Sequence, residues 1–170
     1  MSGGDLVFVV GWSCIDGGNT FQLMHILRRS HQDTALALMH QDGAVVYGMS
    51  AGAIILGADI RIAAHFDDNE VVLDQLQGLK LLENTDVWPH YTPAHRDQVA
   101  ETARRTGTDI LAVPEDGAAL IRDQWYSVGR PATLFLPRPT GQSATVTLDP
   151  WPGHGPACGA PNRTAAGQER

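Results

Sequence analysis

A mixed α/β fold organised on a parallel sheet is the fold class this sequence predicts, and three observations predict it. Short runs of apolar β-formers alternate with segments whose apolar residues recur at helical spacing. The runs are continuously apolar, the pattern of strands covered on both faces. Residues able to do chemistry follow those runs directly, at Gly17-Gly18, Ser50, His90 and Glu115-Asp116. In open α/β sheets, sites gather at such strand carboxyl ends.

Asp5–Val10 reads as the first strand, and Gly11-Trp12-Ser13-Cys14-Ile15 as an irregular insert behind it. Asp16-Gly17-Gly18-Asn19-Thr20 is a Gly-rich loop opening a helix over Phe21–Arg29, where Phe21, Leu23, Met24, Ile26 and Leu27 share a face. Crowded backbone N–H groups in such a loop can bind an anion or an oxyanion, and an ordinary turn capped by Asn or Thr has the same pattern. Thr34–His40 is a second helical piece. Ala44-Val45-Val46-Tyr47 is a buried strand that runs into Gly48-Met49-Ser50-Ala51-Gly52-Ala53 and a helix to Leu56. A Ser between small residues at a strand-to-helix turn is the context of a nucleophile elbow. A plain Gly/Ser turn looks alike locally, so Ser50 gains meaning only from partners elsewhere in the chain.

Ala58–Glu70, with Asp59, Arg61, His65, Asp67 and Asp68, reads as a solvated loop with a short strand, and Val71–Leu82 as a short helix or turn around Leu73, Leu76, Leu79 and Leu82. Asp86–Tyr91 is a brief strand stopped by Pro89, placing His90 at a strand end as Ser50 is. A helix follows Thr92-Pro93 over His95–Arg105. The strand Thr108–Val113 then leads into Pro114-Glu115-Asp116-Gly117. Ala118–Ile121, Tyr126–Val128 and Thr133–Leu136 read as antiparallel strands. The domain is therefore drawn over residues 1–136. Residues 137–170, which hold more than half of the 10 prolines, are expected to be a mostly disordered Pro/Gly-rich tail after one strand near Ala144–Leu148.

Composition excludes several classes of function. The 170 residues are 43% hydrophobic with formal charge −7 and pI near 5.3, and no basic cluster exceeds the pairs Arg28-Arg29 and Arg104-Arg105. Neither nucleic acid nor an anionic membrane is an expected partner. Cys14 and Cys158 make no disulfide framework and fit no metal-ligand spacing, so no metal or cofactor is expected. The N-terminus lacks a basic signal region, and the expected location is cytoplasmic.

Gly17-Gly18-Asn19-Thr20-Phe21-Gln22-Leu23, Gly48-Met49-Ser50-Ala51-Gly52-Ala53, Ile60-Arg61, Pro89-His90-Tyr91 and Pro114-Glu115 together resemble the successive motifs of the aspartyl dipeptidase (peptidase E) and cyanophycinase family of serine peptidases. The likeness covers about Leu6–Val128, and five motifs in order are far more specific than any one. It implies a three-layer α/β fold with a parallel sheet, flavodoxin-like or class I glutamine-amidotransferase-like. Here that fold is expected without its usual first strands and helices. It implies Ser50 as nucleophile, His90 as base and an acid near Pro114 as the orienting group. Matching Pro114-Glu115 points to Glu115, the residue preferred, whereas counting back from Leu120 points to Asp116. The N–H groups of Gly18 and Ala51 are the implied oxyanion hole, and Arg96 and Asn19 the implied substrate-binding residues. The loop after Ile60-Arg61 lacks, at Ile62–His65, an acid that the family carries, so substrate recognition is expected to differ.

The activity implied is hydrolysis of short peptides with an N-terminal Asp. A non-catalytic binding module with the same fold, and a serine hydrolase acting on a non-peptide ester or amide, are the alternatives. If the first strands are absent, Leu6–Val10 becomes an exposed sheet edge without charge or Pro, and self-association through it is expected.

Overall fold

The computed structural model describes residues 12–122, 124–138 and 144–153. Strand β1 (Trp12–Ile15) pairs in parallel with β2 (Val45–Gly48), Ile15 opposite Gly48. Helices α1 (Thr20–Arg29) and α2 (Gln32–Gln41) connect them, and β2 leads through Ser50 into α3 (Ala51–Leu56). Strand β3 (Thr85–Trp88) pairs in parallel with β4 (Asp109–Ala112) across α4 (Arg96–Thr106). Strands β5 (Gly117–Ile121) and β6 (Trp125–Gly129) form an antiparallel hairpin. Then β7 (Thr133–Leu136) joins β4 and β8 (Ala144–Thr147) joins β7, both antiparallel, in the order β3-β4-β7-β8.

The fold is thus mixed α/β with parallel elements. Among the described residues, the β1-β2 pair and the four-stranded sheet share no ladder, so the single parallel sheet expected from sequence is instead two parallel pairs. Helix α3 joins them. Its Ile54 and Ile55 are fully buried in one core with Phe21 and Met24 of α1, Trp88 of β3, Val99 of α4 and Phe135 of β7. The helix is short, and its last carbonyls are satisfied from outside: Leu79, Leu81 and Lys80 donate their N–H groups to Ile55, Leu56 and Gly57 at 2.7, 2.9 and 2.9 Å.

Local chemistry explains the helix limits. Asn19 caps α1, its side chain accepting from Gln22 N at 3.0 Å, and Arg28 and Arg29 sit in the last turn, where positive charge suits the helix dipole. Helix α4 ends at Gly107 in the left-handed region, φ 70°, donating to Ala103 O.

Four segments differ from the sequence reading. Trp12–Ile15, read as an insert, is the partner strand of β2; Ile15 is buried while Cys14 is exposed, an alternation hidden by the small polar residues. Ala58–Glu70 holds a 3₁₀ turn, Arg61–His65, and one isolated bridge between Asp59 and Gln77. Val71–Leu82 is no helix: it is irregular, with turns at its ends and one bridge at Gln77, and Leu73, Leu76 and Leu79 pack against the core. Beyond Leu136 the strand expected near Ala144–Leu148 is present as β8, and the chain after it packs where a tail was expected: Leu148 is buried, and Trp151 donates to Ser127 O and meets the Tyr126 ring edge-on at 5.1 Å. The strand expected over Asp5–Val10, with the edge it would form, and the tail after residue 153 lie outside the described residues.

Asp86 on β3 is buried and accepts from Asp59 N at 2.8 Å, and burial pushes its carboxyl up from 3.8 to about 6. Below the ordinary value the group is protonated in both folded and unfolded chains. As pH rises toward about 6, the unfolded chain ionises first and native stability falls, by roughly 3 kcal/mol once the pH is past both values. Asp86→Asn keeps an acceptor for Asp59 and removes this cost. Urea unfolding should show the variant more stable than wild type at pH 7, by roughly 1–3 kcal/mol, with the gap shrinking to about 0.5 kcal/mol near pH 4. An equal gap at both pH values would reject the buried-charge account.

Candidate active site

Ser50 sits between β2 and α3 with φ 52° and ψ −114°, a conformation that costs a non-glycine residue roughly 1–3 kcal/mol. The surroundings impose it. Met49 N donates to Ile15 O at 3.0 Å, anchoring the turn to β1, and Ala53 and Ile54 donate to Ser50 O at 3.0 and 3.1 Å, starting the helix beneath it. The flanking glycines make room: a Cβ at Gly48 would lie 2.4 Å from Gly52 O, and one at Gly52 would lie 2.1 Å from Ile15 O. The Gly-Met-Ser-Ala-Gly pattern is therefore a steric requirement of the elbow.

His90 is also held in the left-handed region, at φ 53°. Val113 does this from the neighbouring strand. Its N–H donates to Trp88 O and its carbonyl accepts from Tyr91 N, each at 2.9 Å, so Pro89 and His90 bulge outward between two backbone bonds. Val113 is followed by Pro114-Glu115, so the residue that clasps the His90 bulge also delivers the carboxylate beside it.

These placements bring three side chains into line. Ser50 Oγ lies 2.9 Å from His90 Nε2, and His90 Nδ1 contacts Glu115 Oε2. A carboxylate accepts only, so Nδ1 carries the proton toward Glu115, and Nε2 is left to accept from the Ser50 hydroxyl. Asp116, the other acid considered, faces away and pairs with Arg130 Nε at 2.8 Å. Both His90 and Glu115 reach solvent, with side chains 47% and 77% exposed. They stand on the wall of a cleft of about 1150 Å³ that runs along β2 and the β5-β6 hairpin.

Other residues picked from sequence are placed less directly. The Gly17-Gly18 loop lies against the elbow: a Cβ at Gly17 would come within 3.4 Å of Ser50 Cβ, and Gly18 has φ 121°. Ala51 is the first residue of α3, where a backbone N–H has no acceptor within the helix. Asn19 is engaged at both ends of its amide, by Gln22 N and by Asp68 O, in holding the loop. Arg96 points to Thr145 Oγ1 of β8 and does not line the cleft. His65 stacks on Trp88 at 4.8 Å and accepts from Gln98 Nε2, and burial lowers its pKa. Among the described residues, no three metal-ligating side chains converge, and no helix is long and apolar enough to cross a membrane.

The chain belongs to peptidase family S51, whose model matches residues 10–128. A solved structure of a candidate peptidase E protein from Listeria monocytogenes EGD-e is similar at 25% identity and TM-score 0.58, over 68% of this chain and 58% of that one. A peptidase from an acI-B1 Actinobacterium is 18% identical with TM-score 0.47, over 81% of this chain and 57% of that one. The chain thus spans less than two thirds of the length of either structure. A comparison with curated proteins found no match.

Proposed function

We propose that this chain is a serine exopeptidase of the aspartyl dipeptidase type, hydrolysing short peptides through Ser50, His90 and Glu115. The observation that carries the reading is the continuous contact Ser50 Oγ, His90 Nε2, His90 Nδ1, Glu115 Oε2 at the rim of the cleft. A Ser hydroxyl is a weak nucleophile at neutral pH and attacks a peptide carbonyl only as a base removes its proton. His90 Nε2 takes that proton and returns it to the leaving amine, while Glu115 holds the ring in the required tautomer and stabilises the imidazolium. Water, activated by the same imidazole, then releases the acyl group from Ser50. The N–H groups of Gly18 and Ala51 are the proposed donors to the developing oxyanion, each contributing about 3 kcal/mol in comparable sites.

The preference for an N-terminal Asp rests on the likeness of the motifs, and Arg96 is not placed to supply it. The finer fold reading, flavodoxin-like and of the class I glutamine-amidotransferase type, is supported by the two parallel pairs and the helices between them. A cytoplasmic site of action is part of the proposal, supported by the free, exposed Cys14 thiol.

A fluorophosphonate probe should label the wild type and fail to label Ser50→Ala, and Asp-Leu should be hydrolysed faster than dipeptides with another N-terminal residue. Absence of labelling would favour a binding module. Labelling without dipeptide hydrolysis would favour a hydrolase of other esters or amides.

A further inference from the structure

The loop carrying Gly17 and Gly18 is tied down by a carboxylate outside the Ser50-His90-Glu115 contact. Asp67 Oδ2 accepts from both Thr20 N, at 2.9 Å, and Thr20 Oγ1, at 2.6 Å. The next carbonyl, of Asp68, accepts from Asn19 Nδ2 at 2.8 Å. Thr20 is completely buried, so its hydroxyl has no water to turn to if Asp67 is removed. On the opposite side of the loop Gly17 rests against Ser50. Gly18, between these fixed points, has a positive φ of 121° and open space where a side chain would be, so no side chain of its own helps to set its orientation. Its peptide plane is determined by what holds its flanks: Gly17 N on Asp16 Oδ1 at 2.7 Å, and the Thr20 clamp.

We propose that Asp67 is a positioning residue that aims the Gly18 N–H at the oxyanion formed on Ser50 attack. The inference rests on reading Ser50 as nucleophile and Gly18 as donor. A single carboxylate oxygen receives both Thr20 donors, so it acts as a two-pronged clamp on the first residue of α1, two positions from Gly18. Without it, the loop still has its Asn19 tie but loses the part that fixes rotation. An oxyanion donor acts only when aimed within a few tenths of an ångström and some 10–20°. Losing its aim therefore slows attack without weakening substrate binding, which uses the rest of the cleft.

The second-order rate of fluorophosphonate labelling, and kcat and KM for Asp-Leu, should be measured well below the melting temperature for four proteins: wild type, Asp67→Ala, Asp67→Asn and Thr20→Val. Asp67→Ala should slow labelling and kcat about 10- to 100-fold with KM within about 2-fold. Asp67→Asn keeps the accepting oxygen and should recover to within about 3-fold of wild type. Thr20→Val, which removes one prong and preserves volume, should fall between, and it carries the test if Asp67→Ala does not fold. Wild-type labelling rates in Asp67→Ala, a rise in KM that accounts for the loss, or an Asp67→Asn variant as slow as Asp67→Ala would each overturn the inference. Labelling that persists in Ser50→Ala would instead reject the nucleophile on which it rests.

Discussion

Replacing Glu115 by Gln is expected to slow acylation of Ser50 by about 10²- to 10⁴-fold, whereas Asp116→Asn stays within about 3-fold of wild type. Glu115 is the acid in contact with His90 Nδ1, and Asp116 is committed to Arg130. A Gln at 115 presents an amide donor as readily as an acceptor. When the donor faces Nδ1, the ring carries its proton on Nε2 and cannot accept from the Ser50 hydroxyl. The effect thus comes chiefly from the wrong tautomer, which solvent does not screen, so it survives the exposure of both side chains. Fluorophosphonate labelling rates across pH 6 to 9 measure it directly. A slow Asp116→Asn beside a fast Glu115→Gln would reverse the assignment.

Gly52→Ala is expected to cost roughly 3 kcal/mol or more of stability and to abolish labelling of Ser50 even in the folded fraction. The added methyl would sit 2.1 Å from Ile15 O, a backbone atom at the end of β1 that cannot turn away as a side chain can. Helix α3 must then lift from β1, and Ser50, the residue before it, moves with it. Urea unfolding and labelling on the same sample check both parts. A stable Gly52→Ala protein that still labels would show that the elbow has slack the close approach denies.

Much of this was legible because the relevant signals are local. Ser50, His90 and Glu115 each follow an apolar strand directly, and the hairpin β5-β6 is announced by its spacing and turn residues. What was not legible depends on neighbours distant in sequence. Glu115 and Asp116 are adjacent acids that the sequence separates only by the motif Pro114-Glu115; which one meets His90 and which Arg130 depends on residues distant in the chain. Leucines three apart over Val71–Leu82 suit a helix, and the irregular path taken instead is fixed by the open carbonyls of α3 and by Gly78, where a Cβ would fall 2.2 Å from Gly57 O. Trp12–Ile15 is a strand through its pairing with β2, a partner thirty-three positions on that four residues with only two strong β-formers do not announce by themselves. Asp67, one acid among several in a polar loop, meets a partner, Thr20, forty-seven positions away that the sequence does not point to.

Ser50 and His90 stand on strands that share no hydrogen-bond ladder. In one continuous sheet, backbone pairing would fix the spacing of nucleophile and base as rigidly as teeth on a rack. Here the connection runs through α3, by the backbone bond from Ala58 N to Thr85 O at 3.0 Å just past its end and by Ile54 and Ile55, which share one core with Trp88 of β3. A change of one methylene there is expected to alter the distance between Ser50 Oγ and His90 Nε2, although neither isoleucine side chain is part of that contact. At those two positions, core packing and the geometry of the Ser50-His90 contact are expected to change together.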